Sequence, residues 1–245
     1  MLKGKTALIT GGATGIGRSI GLRLANEGVN IAINYSRSEK EALETQTEVE
    51  NLGVKSFICR ADVADDEQVR GMVGKTIEEF GRLDILVNSA GVTHFVDLSD
   101  LEGLKEEHWD HIMGVNVKGI FHCCRAAAIE LKKQRGCIIN ITSIAGLTGL
   151  GSSIAYAASK AAAISVTKSL ARVMAPEVRV NGIAPGIVMT RWVAGQEEHV
   201  KRYADGTPLG RIAEPEDVSE IAYSLVAHSN FMTGQIIVVD GGAFL

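Results

Sequence analysis

Seven short apolar runs recur along the chain, separated by helical periodicity or by polar loops. They are KTALIT (5–10), VNIAIN (29–34), VKSFICR (54–60), LDILVNSAG (83–91), CIINITS (137–143), VRVNGIAPG (178–186) and GQIIVVDGG (234–242). Helical spacing fills 15–27, 39–53, 65–81, 105–134, 154–174 and 215–227. The segment 65–81 opens on acids and 215–227 opens on Pro, as helix N-termini prefer. Residues 187–213 read as a polar, irregular stretch. Apolar strands alternating with helices imply a parallel sheet covered on both faces. The expected fold class is α/β: one doubly wound, seven-stranded parallel sheet in a single domain spanning 1–245. In such sheets ligands bind at the carboxyl ends of the strands, so the residues just after each strand are the candidates.

Composition removes several classes. Net charge is −4 and no basic stripe is present, which argues against a nucleic-acid partner. Cys59, Cys123, Cys124 and Cys137 form no C-x-x-C pair and are expected to be buried, reduced thiols. His94, His108, His111 and His122 show no metal spacing and read as surface or core residues, so no metal is expected. MLKGKTALITGG enters a strand at once, without a signal peptide's regions. No apolar run approaches the roughly 20 residues of a membrane span. The expectation is a cytoplasmic protein with no membrane partner.

After the first strand comes TGGATGIG (10–17). Gly11, Gly15 and Gly17 let the backbone approach a pyrophosphate, and Ile16 lies where the helix begins and offers free N–H groups. A tight turn needs glycine anyway, but the position in a βαβ unit favours a nucleotide site. The second strand ends in NYSRS (34–38), with no carboxylate from Val29 to Ser38. An acid there would hold a ribose 2′-hydroxyl, whereas Ser36 and Arg37 suit a 2′-phosphate. NADP(H) is therefore favoured over NAD(H), with a solvated surface arginine as the competing reading. Asp62 and Val63 follow the third strand, and Asn88, Ser89, Ala90 and Gly91 follow the fourth. Both stretches lie where a cofactor would run. Asp62 as a helix cap and Asn-Ser-Ala-Gly as plain loop chemistry remain open.

YAASK (156–160) puts Tyr156 and Lys160 four residues apart, on one face of a helix. Tyrosine is a poor acid–base group at neutral pH, and a neighbouring ammonium is expected to lower its pKa. Ser143, at the end of the fifth strand, can hold a carbonyl oxygen beside the phenol. The competing reading is a packed Tyr156 and an exposed Lys160. Trp192 and the segment 191–210 stand where a substrate lid would sit.

Thr10-Gly11-x-x-x-Gly15-Ile16-Gly17, Asn88-Ser89-Ala90-Gly91, Asn116 in VNVKG, Ser143, Tyr156-x-x-x-Lys160 and Pro185-Gly186-x-Val188-x-Thr190 occur in that order. Over essentially its whole length the chain resembles the short-chain dehydrogenase/reductase family. The resemblance implies a Rossmann fold and a catalytic set of Asn116, Ser143, Tyr156 and Lys160. It also implies that Asn116 holds a water linking Lys160 to solvent, and that Val188 and Thr190 bind the nicotinamide amide. Ser89 departs from the family, which has Asn there. PLGRIAEPEDVSE (208–220) and GQIIVVDGG are most similar to 3-oxoacyl-[acyl-carrier-protein] reductases. That likeness implies a homotetramer, a small carbonyl or alcohol substrate, and acyl carrier protein as a candidate partner. A carrier should meet basic residues beside the active-site mouth. LKKQRG (131–136) keeps Lys132, Lys133 and Arg135, whereas VMAPEVR (173–179) has Pro176-Glu177 in place of a basic residue. A dinucleotide-binding sensor or scaffold without turnover is the alternative from another class. It would have no reason to keep the catalytic set.

Overall fold

The computed structural model describes residues 2–195 and 197–245. Met1 and Gln196, within the N-terminal and lid segments named above, lie outside the described residues. The first half of the chain runs β1 (Thr6–Thr10), α1 (Gly15–Ala25), β2 (Asn30–Tyr35), α2 (Glu39–Asn51), β3 (Ser56–Arg60), α3 (Asp66–Phe80) and β4 (Ile85–Asn88). The second half runs α4 (Glu106–Met113), α5 (Gly119–Gln134), β5 (Cys137–Ile141), α6 (Ala145–Thr148), α7 (Ile154–Met174), β6 (Arg179–Pro185), α8 (Glu197–Gly206), α9 (Pro215–Ala227) and β7 (Ile236–Val239). All neighbouring strands pair in parallel, in the order β3-β2-β1-β4-β5-β6-β7. The chain reverses its direction of travel across the sheet between β1 and β4, and a crevice opens at such a switch point.

Side chains alternate across each strand, and both faces of β1, β2, β4, β5 and β6 are buried, while the edge strands β3 and β7 are partly exposed. Ala7, Ile9, Ile31, Ile33, Ile85 and Val87 pack beneath Ile20 and Leu24 of α1 and Val218 and Leu225 of α9. Leu8, Ala32, Leu86 and Ile138 pack on the opposite side against Met72 of α3, Cys124 and Leu131 of α5 and Ala163 of α7. This double burial is why the strands read as unbroken apolar runs. Cys123, Cys124 and Cys137 are buried and unpaired, and burial pushes the thiols of Cys124 and Cys137 up to about 12 and about 11.

Three expectations change. The helical stretch 105–134 is interrupted by a π-helical turn, Gly114–Lys118, that carries Asn116. The stretch 187–213 is not wholly irregular: Arg191–Val193 forms a 3₁₀ turn and α8 follows. Its sequence, EEHVKRYADG, is polar on average, but Val200, Tyr203 and Ala204 stand at i, i+3 and i+4, a short helical stripe that sequence reasoning passed over. Third, the basic segment 131–136 is not beside the mouth. In a parallel sheet each helix returns from the carboxyl to the amino edge, so the segments before β5 and β6 sit at the amino edge. Tyr156 lies in the first turn of α7, and the 173–179 turn follows that helix of 21 residues, roughly 30 Å away.

Candidate active site

The carboxyl edge of β1, β4, β5 and β6 gathers the predicted residues. Gly11 and Gly15 adopt φ +63 and +55, values that a side chain rarely tolerates. A Cβ on Gly17 would stand 2.4 Å from the Gly11 carbonyl oxygen, so only glycine permits this turn. Two side chains that sequence reasoning did not single out as site residues hold the turn. Asn34 accepts from the Gly11 N–H at 3.2 Å through Oδ1, and its Nδ2 reaches the carbonyl of Ala61 at 3.0 Å. Thr10 Oγ1 accepts from the N–H groups of Ser89 and Ala90, both at 3.1 Å. Because Ser89 engages through its backbone, the serine there leaves the contact intact. Thr14 precedes α1 without a side-chain cap bond, so the helix N-terminus faces the crevice with its N–H groups uncapped. Ile16 packs beneath on the core. The turn fits a dinucleotide's pyrophosphate.

Ser36 and Arg37 are exposed at the end of β2. Several other predicted residues make contacts within the protein. Asn88 is buried and donates to Asn140 Oδ1 at 2.8 Å, and Asn140 donates to Thr167 at 2.9 Å. Its side chain therefore braces β4, β5 and α7 and does not face the cleft. Asp62 does not cap α3: its carboxylate accepts from the Ala64 N–H, and Asp65 caps the helix through the N–H groups of Glu67 and Gln68. The Val63 side chain packs on Gly119, and Val188 is buried and bridges Ala213. Pro185 ends β6, and a Cβ on Gly186 would meet Tyr203 and Asp240. Ala90 and Gly91 do line the crevice. A Cβ on Gly91 would lie 3.6 Å from Asn116 Oδ1 and 3.8 Å from Lys160 Nζ.

The catalytic candidates converge. Ser153 caps α7 by accepting from the Tyr156 N–H at 3.2 Å, which fixes the first turn. Lys160 is buried, donates to the Ile141 carbonyl at 2.9 Å, and holds Nζ 5.6 Å from the Tyr156 ring centre. Ser143 Oγ accepts from the Ala145 N–H at 3.1 Å, and its side chain lies near enough to the Tyr156 phenol to pull its pKa down. Gly146 makes this approach possible, because a Cβ there would meet the Lys160 carbonyl carbon at 2.5 Å.

The electrostatics differ from the expectation. Tyr156 keeps an edge on the cleft, yet burial of the rest pushes its phenol up to about 12, against the opposing pull of Ser143. Burial lowers Lys160 to about 8. Desolvation is the largest influence on the phenol, and among the described residues Ser143 is the one group that opposes it. The Asn116 side chain is tied into the protein. It accepts from the Val92 N–H and donates to the Val92 carbonyl and to Ser159, so both side-chain amide hydrogens are used within the protein.

Trp192 meets Tyr156 edge to face at 6.2 Å and stands 3.9 Å from the position of a Gly91 Cβ. His94, His108 and His111 are clustered rather than scattered: His94 pairs with His111 at 3.1 Å and stacks on His108 at 4.3 Å. Among the described residues no group has an arrangement that could hold a metal ion.

The chain matches the family described as Enoyl-(Acyl carrier protein) reductase over residues 11–243. It is 38% identical over 245 residues to the 3-oxoacyl-[acyl-carrier-protein] reductase FabG of Staphylococcus aureus (strain Mu50 / ATCC 700699), covering 98% of each chain. FabG of Thermotoga maritima is 37% identical, again with 98% of each covered. A crystal structure of a dehydrogenase/reductase from Sinorhizobium meliloti 1021 superposes with TM-score 0.93 at 35% identity, covering all 100% of this chain and 96% of the other. A short-chain type dehydrogenase/reductase from Mycobacterium marinum gives 0.91 at 34%, with 99% and 96% covered. The chain belongs to the short-chain dehydrogenase/reductase family. This short-chain dehydrogenase/reductase is an oxidoreductase with a Rossmann-like α/β fold. Sequence reasoning about it missed Asn34, Ser153 and Ser159 as positioning residues. A polar residue closing an apolar strand was the available signal for Asn34, and Ser three residues before Tyr156 was the signal for the cap.

Proposed function

We propose that the protein catalyses the NADP(H)-dependent, reversible reduction of a ketone to a secondary alcohol, with Tyr156 as the acid/base. The observation that carries the reading is Ser143, Tyr156 and Lys160 at the carboxyl edge of the sheet that also bears the glycine turn fitted to a pyrophosphate. When bound, the nicotinamide supplies or accepts the hydride. Ser143 orients and polarises the carbonyl oxygen by hydrogen bonding. Tyr156 gives that oxygen its proton as charge develops there. A phenol held near 12 stays protonated through the neutral range, which suits the reductive direction. Lys160, charged below about pH 8, favours transient phenolate and is placed to hold a ribose hydroxyl. Asn116 joins the β4 loop to α7 through Val92 and Ser159, which keeps Gly91 and Lys160 in register. A relay water would have to use an atom of Asn116 other than its amide hydrogens. Arg37, with no carboxylate from 29 to 38, supports NADP(H) over NAD(H).

A second reading, 3-oxoacyl-[acyl-carrier-protein] reductase, is favoured by the names of the curated relatives. The amino-edge position of Lys132, Lys133 and Arg135 argues against their docking a carrier at this chain's own cleft. We therefore infer that free small ketones, β-ketoesters or sugar-derived ketones are reduced at least as efficiently as carrier-bound groups. The chain is read as a cytoplasmic homotetramer. Exposed Phe121 and Ile129 on α5 and Val173 on α7 support self-association, and no helix among the described residues is long and apolar enough to cross a membrane. The test is kcat/KM for acetoacetyl-carrier protein against a free acetoacetyl ester, with NADPH, at low and high salt. Comparable values support the first reading. A large carrier preference that collapses with salt establishes the second.

A further inference from the structure

The segment after β6 crosses the dinucleotide groove as a strap. Thr190 lies on the glycine turn, its methyl 3.2 Å from where a Gly15 Cβ would be. From that point adjacent residues reach opposite ends of the groove. Trp192 stands beside Tyr156, whereas Arg191 extends to the end of β2 and donates from Nη1 to Ser38 Oγ at 2.9 Å. Ser38 follows Arg37 directly, so two arginines from elements far apart in sequence flank one position.

We propose that Arg191 is a specificity-determining residue that closes over the adenosine end of the cofactor and pairs with its 2′-phosphate together with Arg37. The inference rests on the NADP(H) reading above. Three observations carry it. First, the turn from Thr10 to Gly17 contains no basic residue, and Arg18 just beyond it is paired with Glu48. Second, the partner of Arg191 is a neutral hydroxyl, and Glu39, close in sequence, takes the Tyr35 hydroxyl at 3.0 Å. Exchanging Ser38 for a phosphate oxygen therefore replaces a neutral acceptor by a charged one, which makes the stronger bond. Third, a guanidinium that reaches Ser38 has passed the glycine turn, where a pyrophosphate would sit, and arrived at the ribose end. Because Thr190, Arg191 and Trp192 form one short turn, engaging the phosphate also settles the indole beside Tyr156.

Binding of adenosine 2′,5′-bisphosphate and adenosine 5′-monophosphate, measured by calorimetry on the full chain, tests this without turnover. The proteins compared are wild type, Arg191→Met, Arg191→Lys and Arg37→Ala, with thermal melts confirming that each is folded. Wild type should bind the bisphosphate more tightly than the monophosphate. Arg191→Met should lose about tenfold or more for the bisphosphate and less than about twofold for the monophosphate, with Lys recovering part of the loss. If Arg37→Ala weakens the bisphosphate and Arg191→Met does not, the strap role is wrong and the cofactor reading stands. Equal losses on both nucleotides would assign Arg191 to the 5′-phosphate and overturn the proposal. A wild type that does not distinguish the two nucleotides would overturn the NADP(H) reading itself, and this inference with it.

Discussion

Two segments face each other across the groove, and they are held by different means. The turn after β1 is fixed through backbone groups: Gly11 N–H on Asn34, Gly12 N–H on the Asn34 carbonyl, and Gly17 against the Gly11 carbonyl. The strap after β6 rests on a few backbone bonds, such as Met189 N–H to the Ala213 carbonyl, and on replaceable side-chain contacts such as Arg191 to Ser38. Where backbone meets backbone, only glycine fits and the sequence announces it. Where side chains make the contact, many residues would serve and the sequence is quiet. The rigid turn suits a site that must present N–H groups in one geometry, and the strap suits a part that must admit a ligand.

Substitutions on the two sides should therefore differ sharply. Gly17→Ala forces a Cβ to within 2.4 Å of a backbone oxygen, so the turn must shift. Overpacking of this kind costs about 1–3 kcal/mol or more, which lowers Tm by roughly 5 °C and should weaken dinucleotide binding as well. Differential scanning calorimetry and a nucleotide titration check both. Gly206→Ala, at the end of α8, meets nothing within 4 Å. Its Tm should move by about 2 °C or less, in the stabilising direction, since alanine is the better helix former. Equal effects at the two positions would break the contrast.

The catalytic end offers a smaller, pH-resolved test. Burial lowers Lys160 from 10.5 to about 8. Between those values the unfolded chain holds a proton that the folded chain has lost, so this group makes stability rise with pH across that window. Below about pH 8 its destabilising effect is present in full. Lys160→Met removes it, so the stability difference between variant and wild type should fall in the variant's disfavour as pH rises from about 8 to 10.5. Chemical denaturation at a series of pH values measures this. A difference that stays flat would mean that the lysine is not desolvated.

The sheet, its strand count and the Tyr156–Lys160 pairing were legible because each follows from periodicity: strands buried on both faces, and i,i+4 spacing on one helix. The glycine turn was legible from backbone sterics. Other features depend on tertiary packing that no local pattern records. Asn88 looks like a loop residue until β5 and α7 bring Asn140 and Thr167 to it. The π turn around Asn116 leaves no compositional trace, and the one-turn stripe of Val200, Tyr203 and Ala204 in α8 was overlooked within a polar segment. Asp62 and Asp65 are equivalent as caps by type, and only the chain's entry angle selects the second. The basic residues 131–136 were read correctly as basic and wrongly in place, because their edge of the sheet depends on strand direction. The three histidines were likewise assembled by the fold, from the β4 loop and α4.

The central claim is that Tyr156 is the proton donor in a site whose dinucleotide cradle is separately built. Tyr156→Phe keeps the ring's packing and removes only the hydroxyl. Steady-state turnover of NADPH with a responsive ketone, alongside NADPH affinity from fluorescence titration of the same sample, reads the two functions apart. Turnover should fall by about 100-fold or more while affinity changes by less than about threefold. A variant that keeps more than about half of wild-type turnover, with chemistry shown to limit the rate, would contradict the account.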